Sequence, residues 1–205
     1  MIFGNLVERV RAGVRRIATR NRITALIRQG GPLRIEVGGG DRHGGNGWLT
    51  MDLQPQCDLY WDLRHGLPFP DASLDAVYSS HFLEHLSFQH GERFLAECLR
   101  ALKPGASFSI CVPDARIFLQ AYVNGVELDR DLWMPFKPAD NQTTRIDYVN
   151  YIAYMRGHHH YMFDEENLLA RLRNAGFSEV APRSFDPEID NAARDRESIY
   201  ATAVR

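Results

Sequence analysis

Apolar residues along the chain occur in short runs that alternate with segments of helical period. Seven runs predict strands, at residues 33–37, 48–53, 58–61, 74–79, 107–112, 177–185 and 198–204. Helical spacing predicts a helix over 88–102, stopped by Lys103-Pro104-Gly105, and a second over 165–172, capped by Asp164 and ended by Gly176. Strands that alternate with helices predict an α/β domain with a largely parallel sheet.

Residues 1–31 differ in composition from the rest of the chain. Apolar residues recur there at helical spacing, namely Phe3, Leu6, Val7, Val10, Val14 and Ile17. The segment has seven arginines and one glutamate, a net charge of +6, so the total of −2 leaves −8 for residues 32–205. We expect a basic amphipathic helix of about 18 residues. Two interpretations stay open: packing on the domain or on a second subunit of a homodimer, or contact with an anionic membrane surface.

Length and cysteine content bound the rest of the picture. A chain of 205 residues can bury enough apolar surface to fold without disulfides or a structural metal. Its three cysteines, Cys57, Cys98 and Cys111, form no C-x-x-C pair, which favours reduced thiols and a cytoplasmic location. No apolar run reaches membrane-spanning length and no secretory core is present. We predict one domain over 32–205, in which the aromatic-rich segment 114–163 is an insertion covering the site.

Polar residues follow the ends of the first four predicted strands. In a doubly wound sheet, ligands bind beyond the carboxyl ends of the strands. The first strand ends at Gly38-Gly39-Gly40, where the backbone can approach a ligand closely. The second delivers Asp52, which can accept hydrogen bonds from ribose hydroxyls. The pair Asp62-Leu63 suits the edge and face of an adenine ring, and Ser80-His81 reach the same rim.

The run His81–His85 reads H-x-x-E-H, which is also the pattern of an inverted zinc-peptidase helix. Such a site needs both imidazoles on one helix, whereas His81 directly follows a predicted strand. We therefore predict no metal here. His81 is expected at the strand–helix junction, beside the ligand that this rim binds, and His85 is expected to start the helix. Both are candidates for a catalytic base oriented by Glu84, and a purely structural role is the alternative.

A second histidine cluster, His158-His159-His160, precedes the last predicted helix. Alternating side-chain directions would send His158 and His160 to one side, and we expect these two with Tyr161 to contact the acceptor. Asp114, directly after the fifth strand, joins them by topology. A metal site with a carboxylate from Asp114 or Asp164 is the alternative. Nearby aromatic residues can stack on an acceptor or form a small core of their own.

With these motifs in place, residues 33–113 resemble the core of a class I S-adenosylmethionine-dependent methyltransferase. The matching motifs are Gly38-Gly39-Gly40, Gly47-Trp48, Leu67-Pro68-Phe69-Pro70-Asp71, His81-Phe82-Leu83-Glu84-His85, Leu102-Lys103-Pro104-Gly105 and Ala175-Gly176-Phe177. The resemblance implies a Rossmann-like seven-stranded sheet of order 3-2-1-4-5-7-6 with the seventh strand antiparallel and helices on both faces. It implies S-adenosyl-L-methionine as cofactor, with contacts from Glu36, Gly38, Gly39, Gly40, Asp52, Leu53, Asp62, Leu63, Ser80 and His81.

The chain departs from the family pattern after the first glycines. Asp41-Arg42 stand where a third glycine is usual, and the short gap to Asp52 predicts a loop over Asp41–Gly47 instead of a first helix. Carboxylates at the rim suit a sulfonium better than a pyrophosphate. We expect a methyltransferase for a small-molecule or glycan-like acceptor; a non-catalytic S-adenosylmethionine-binding or scaffold protein is the alternative. The acidic charge of residues 32–205 disfavours nucleic acid.

Overall fold

The computed structural model describes residues 2–41 and 43–205, with side chains from Val7 onward apart from Arg42. Phe3 and Leu6 of the predicted stripe, and Arg42 at the third-glycine position, lie outside the described side chains. The strands are β1 (Arg34–Val37), β2 (Trp48–Asp52), β3 (Leu59–Tyr60), β4 (Leu74–Ser80), β5 (Leu102–Pro113), β6 (Ser178–Pro182) and β7 (Ser198–Val204). The α-helices are α1 (Ile2–Gln29), α2 (Phe88–Ala101), α3 (Ala115–Asn124), α4 (Arg130–Trp133), α5 (Ile146–Tyr154) and α6 (Glu165–Asn174).

The seven strands form one sheet in the order β3-β2-β1-β4-β5-β7-β6. Neighbours from β3 to β5 are parallel, whereas β7 is antiparallel to both β5 and β6. The predicted Rossmann-like sheet and its strand order are therefore confirmed. Val37 pairs with Met51 and with Ser79, so β1, β2 and β4 end level with one another. This register brings the residues that follow each strand to one edge of the sheet.

Three local predictions need comment. The helix predicted over 88–102 ends one residue earlier, at Ala101, and β5 begins at Leu102 and runs through the Pro-Gly pair that was expected to separate the two elements. Pro104 is tolerated there because the β4–β5 register breaks between Leu74 and Ala76. His85 does not start α2, which begins at Phe88; it ends a short 3-10 turn, Leu83–His85. Among the described residues of 41–47 no helix occurs, as predicted.

Two hydrophobic clusters form the interior. The larger one packs the sheet against α2 and α6. The smaller one is built by the segment after β5 and contains Phe118, Met134, Tyr148, Tyr151 and Ile152. Several aromatic side chains that sequence analysis considered for acceptor stacking are thus core residues of that segment. Its role as a cover over the site stays a prediction.

Helix α1 is 28 residues long, longer than expected, and only one face of it contacts the sheet. Thr19 Oγ1 donates to Tyr60 O at 3.1 Å, and the side chain of Ile23 is buried. The apolar stripe points the other way: its members Val7, Val10, Val14 and Ile17 are 49–63% exposed. The expectation that this stripe packs on its own domain is therefore wrong. None of the described helices is both long and apolar enough to cross a membrane.

Candidate cofactor and acceptor site

The turn after β1 consists of three glycines that need to be small for different reasons. Gly38 has a φ of +72°, and a Cβ there would overlap the Phe82 ring. A Cβ on Gly39 would lie 2.8 Å from Thr50 Cγ2. Gly40 has a φ of +67°, and a Cβ there would meet nothing within 4 Å. Gly38 and Gly39 are thus packed against neighbours, while Gly40 borders open space that a ligand can fill.

Asp52 connects the end of β2 to this turn. Its Oδ2 accepts a hydrogen bond from Gly40 N at 3.0 Å, and its Oδ1 accepts one from Gln54 N at 3.0 Å. Each carboxylate oxygen keeps a further lone pair for a ligand donor. Asp52 lines a cavity of about 200 Å³ together with Leu53, Asp62 and Leu63. The structure therefore brings these four predicted residues together.

Asp62 is an acceptor already engaged by its own loop. Arg64 donates to it from Nε at 2.9 Å and from Nη2 at 2.8 Å, and also from its backbone N. The hydrogen bond from the Arg64 side chain is the main reason that the pKa of Asp62 lies below its usual value. Asp62 is therefore an ionised residue that shapes the loop, and any ligand donor shares it with Arg64.

A larger cavity has a volume of about 430 Å³ and is lined by Gly38, Gly39, Gly40, Tyr78, Ser80, His81, Ile189, Asp190, Asn191 and Arg194. Sequence analysis missed Tyr78 and the group between 189 and 194. Tyr78 donates to Asp190 Oδ1 at 2.8 Å, and Arg183 donates to both oxygens of Asp190. Burial would raise the pKa of Asp190, but these hydrogen bonds bring it below its ordinary value. An ionised, braced carboxylate therefore forms one wall.

A third cavity, of about 330 Å³, adjoins the second. It is lined by His81, Glu84, His85, Pro135, Phe136, Tyr151, Met155, His158, His159, Arg194 and Glu197. His81 and Arg194 line both this cavity and the larger one beside Gly40. We call the first two cavities together the cofactor cleft and the third the acceptor cavity. Two residues thus form the common wall of cleft and cavity.

His81 is held in an uncommon conformation at this wall. Its φ is +49°, a region that few residues with a Cβ adopt. Ser198 Oγ donates to Arg194 O, so the Ser198 oxygen is free to accept from His81 Nε2 at 2.7 Å. That leaves the lone pair on His81 Nδ1, 3.8 Å from Glu84 Oε1. Burial lowers the pKa of His81 to about 3, so this imidazole is neutral near pH 7.

The three consecutive histidines alternate in direction as expected. The side chain that turns inward is His159, however, and not the expected pair His158 and His160. His159 is buried, whereas His158 and His160 are exposed. The left-handed residues Met155 and Arg156, which precede the run, set this phase. His158 still borders the acceptor cavity, where its ring lies 5.8 Å from that of Phe136.

Asp114, His160 and Tyr161 do not line the cleft or the acceptor cavity, which corrects the prediction that they contact the acceptor. Asp114 caps α3 by accepting a hydrogen bond from Arg116 N at 2.9 Å. Tyr161 packs against Phe163 and lies beneath the Arg171 guanidinium. Glu36 is buried at the base of the first turn. The structure therefore gathers the expected cofactor residues other than Glu36 along the cleft but places three of the four expected acceptor residues elsewhere.

Comparison with known proteins agrees with this geometry. A family model described as a methyltransferase domain matches residues 55–110. A Mycolicibacterium smegmatis protein (strain ATCC 700084 / mc(2)155), named a probable S-adenosylmethionine-dependent methyltransferase, is 43% identical over 61 residues, 28% of this chain and 23% of that protein. The chain thus matches less than a quarter of the length of this curated relative.

Solved structures give the fold over most of the chain. Haemonchus contortus phosphoethanolamine N-methyltransferase 2 in complex with S-adenosyl-L-methionine has a TM-score of 0.54 at 14% identity, covering 90% of this chain and 52% of that one. A SAM-dependent methyltransferase from Archaeoglobus fulgidus has a TM-score of 0.52 at 16% identity, covering 93% and 94%. The fold is that of a class I S-adenosylmethionine-dependent methyltransferase. The fold that the sequence resemblance implies is thereby confirmed.

The cleft of this methyltransferase fold fits S-adenosylmethionine. The open space beside Gly40, which a Cβ would partly fill, is available to the cofactor. Asp52 has acceptor capacity for ribose hydroxyls, and Leu63 supplies an apolar surface beside it. In the larger cavity, Arg194 makes no side-chain hydrogen bond to any described residue and is available for a carboxylate. The cleft therefore has groups that suit the ribose, the adenine face and the carboxylate of the cofactor.

Proposed function

We propose that this chain transfers a methyl group from S-adenosylmethionine to a small-molecule or sugar-like acceptor. The observation that carries the proposal is the wall shared by cleft and acceptor cavity, formed by His81 and Arg194. An acceptor in the cavity lies next to the part of the cleft that follows β4. Methyl transfer depends chiefly on holding two reactants in line at short distance, and adjoining cavities provide that arrangement.

Bound S-adenosylmethionine supplies an electrophilic methyl group on a positively charged sulfur. The chain supports it in two ways. Asp52 and the Gly40 backbone orient the nucleoside and amino-acid parts, and the ionised Asp190 favours a cation in the larger cavity. The neutral His81 adds no positive charge close to the sulfonium.

His81 and His85 are the proposed proton acceptors for an acceptor hydroxyl or amine. His81 Nδ1 keeps its lone pair because Nε2 donates to Ser198. Its pKa of about 3 makes it a weak base before the acceptor binds, so positioning provides most of the rate in this proposal. His85 Nδ1 is held by His158 O at 2.8 Å, which leaves its Nε2 lone pair for a ligand.

The proposed acceptor class follows from the lining of the cavity. Phe136, Tyr151 and Met155 offer apolar surface, while Arg194 and Glu197 offer charge. This mixture suits a polar ring that has one flat face, such as a sugar unit or a hydroxylated aromatic. A volume of about 330 Å³ suits a single unit of that size. The net charge of −8 over residues 32–205 argues against a nucleic acid.

We further propose that α1 rests on an anionic membrane surface near the acceptor. The support is an exposed apolar stripe, Val7 to Ile17, which faces away from the sheet. The helix that carries this stripe also contains seven arginines. The test is co-sedimentation with anionic and with neutral vesicles, using Val10→Ser/Val14→Ser as the variant. Retention by anionic vesicles alone, lost in the variant, is expected. A concentration-dependent dimer without vesicle binding would contradict the membrane proposal and favour a homodimer through the same stripe.

The test of the main proposal is calorimetric titration with S-adenosylhomocysteine. Asp52→Ala removes the carboxylate that would accept hydrogen bonds from the ribose hydroxyls. We therefore expect the affinity for S-adenosylhomocysteine to fall by roughly tenfold to a hundredfold. Asp131→Ala is the matched control, because Asp131 is an exposed carboxylate remote from the cleft. Equal affinity in the three proteins would contradict the site. A second assay measures the conversion of S-adenosylmethionine to S-adenosylhomocysteine with a panel of hydroxylated acceptors. Nucleoside binding without any conversion would favour the non-catalytic alternative.

A further inference from the structure

Glu84, His85 and His159 meet at the inner wall of the acceptor cavity. One ligand atom from each lies within 4.8 Å of the other two. His85 Nε2 is 3.9 Å from Glu84 Oε1, and the two imidazole rings lie 5.0 Å apart at their centroids. The segments that supply these side chains are distant in sequence: the turn after β4 and the histidine run before α6. The fold therefore creates a cluster that spacing along the chain does not predict.

Glu84 is buried without a partner. Its side chain is 2% exposed, and neither carboxylate oxygen accepts a hydrogen bond from any group in residues 2–41 or 43–205. A buried carboxylate with no hydrogen bond is costly, and proteins commonly keep such groups where they pair or coordinate a metal. A cation placed beside it would supply the missing partner.

Both histidines are oriented by backbone carbonyls. His85 Nδ1 lies 2.8 Å from His158 O, and His159 Nδ1 lies 2.8 Å from Ile152 O. A carbonyl oxygen only accepts, so each imidazole donates from Nδ1 and keeps its lone pair on Nε2. Metal-binding histidines are commonly fixed by this kind of second hydrogen bond. The Nε2 lone pair of each ring is the one that can coordinate a metal.

We propose that Glu84, His85 and His159 bind a divalent transition-metal ion, with zinc as the best match. Two imidazole nitrogens and one carboxylate are a ligand set that zinc takes in sites with an open position. Ligand atoms around a tetrahedral zinc lie roughly 3.4 Å apart. Side-chain rotations that move the three ligand atoms by about 1 Å would bring the cluster to that spacing. The open position faces the acceptor cavity, whose lining includes all three residues.

This site is not the zinc-peptidase helix that H-x-x-E-H spells. The first histidine of the motif, His81, turns its Nε2 to Ser198 instead, and the third ligand comes from His159. The expectation that the chain holds no metal was based on the motif alone and stays untested. If the proposed function also holds, the open position is where an acceptor oxygen would bind. His81 is then the one proposed proton acceptor, because the metal would occupy His85 Nε2. Metal binding itself does not depend on that function.

The test is a Co²⁺ titration of chelator-treated full-length protein, read by visible absorption and then by displacement with Zn²⁺. We expect a saturable, stoichiometric signal that Zn²⁺ removes. Glu84→Gln and His159→Gln should each weaken Co²⁺ binding by roughly a hundredfold or more, since even the loss of an outer partner of a ligand costs 10–100-fold. His160→Gln is the matched control, because His160 is an exposed member of the same run. It should bind Co²⁺ like the unaltered protein.

Several outcomes would overturn the proposal. No saturable signal in the folded protein would do so, as would equal affinity in all variants. Loss of binding in His160→Gln but not in Glu84→Gln would mean that exposed histidines hold the ion. If burial makes a variant unstable, His85→Gln replaces it, because His85 is partly exposed. Titration with S-adenosylhomocysteine runs in parallel: Co²⁺ binding without nucleoside binding supports the metal site and refutes the proposed function, and the converse refutes the metal site alone.

Discussion

Replacing Gly38 and Gly40 separately by alanine distinguishes packing from ligand space in the first turn. Both residues have positive φ, +72° and +67°, so an alanine pays a similar conformational cost at each. The left-handed region costs a residue with a Cβ about 1–2 kcal/mol. Only at Gly38 does the new Cβ also overlap a neighbour, the Phe82 ring. Overpacking of this kind adds about 1–3 kcal/mol.

We therefore expect Gly38→Ala to lower the free energy of unfolding by about 2–5 kcal/mol, and Gly40→Ala by about 1–2 kcal/mol. For the affinity for S-adenosylhomocysteine we expect the opposite order, with the larger effect from Gly40→Ala. Gly40 lines the larger cavity, and a Cβ there would meet no protein atom within 4 Å. Gly40→Ala should therefore weaken S-adenosylhomocysteine binding by about tenfold or more, an affinity loss of about 1.4 kcal/mol or more.

The assays are urea unfolding without ligand and calorimetric titration of the folded proteins. Equal destabilisation by the two substitutions would show that Phe82 does not restrict Gly38 as the structure indicates. Unchanged nucleoside affinity in Gly40→Ala would mean that the cofactor does not occupy the space above this glycine, and the reasoning for the cleft would fail.

Further predictions concern two buried carboxylates. Asp190→Asn breaks the pair with Arg183, so the free energy of unfolding should fall by about 3 kcal/mol in urea titrations, against about 1 kcal/mol for Tyr78→Phe, which keeps the pair; equal losses would contradict this. Asp147, which accepts hydrogen bonds from Thr143, has a pKa lowered to about 2. Its contribution, roughly 1–2 kcal/mol, should be complete above pH 3.8 and disappear as the pH falls through about 2; Asp147→Asn should remove that part of the acid-unfolding profile, and an unchanged profile would refute the assignment.

Sequence patterns were sufficient for the sheet because the strands coincide with short apolar runs; for β1, Pro32 and Gly38 also mark the two ends. The cofactor edge followed, since parallel strands that end level bring Gly40, Asp52 and Ser80 together whatever the loops do. Local errors arose where side-chain interactions decide the backbone. Ser87 caps α2 at Phe88, which leaves His85 in the preceding turn.

The acceptor side was harder because its residues come from segments without a regular period. The direction of His159 depends on the left-handed residues Met155 and Arg156, neither of which is glycine. Arg194 and Asp190 lie in an irregular stretch between β6 and β7 that carries no motif. The only sequence signal for Glu84 was the H-x-x-E-H pattern, whose meaning depends on a third ligand 74 positions from His85 along the chain, at His159.

Thermal unfolding with S-adenosylhomocysteine tests the central claim, cofactor binding in the cleft, most directly. Ligand at about 100 times its dissociation constant adds about 2.7 kcal/mol to the free energy of unfolding. For a chain of this size each kcal/mol raises the melting temperature by about 2–4 °C, so we predict a rise of roughly 5–11 °C. An unchanged melting temperature at saturating nucleoside would contradict the account.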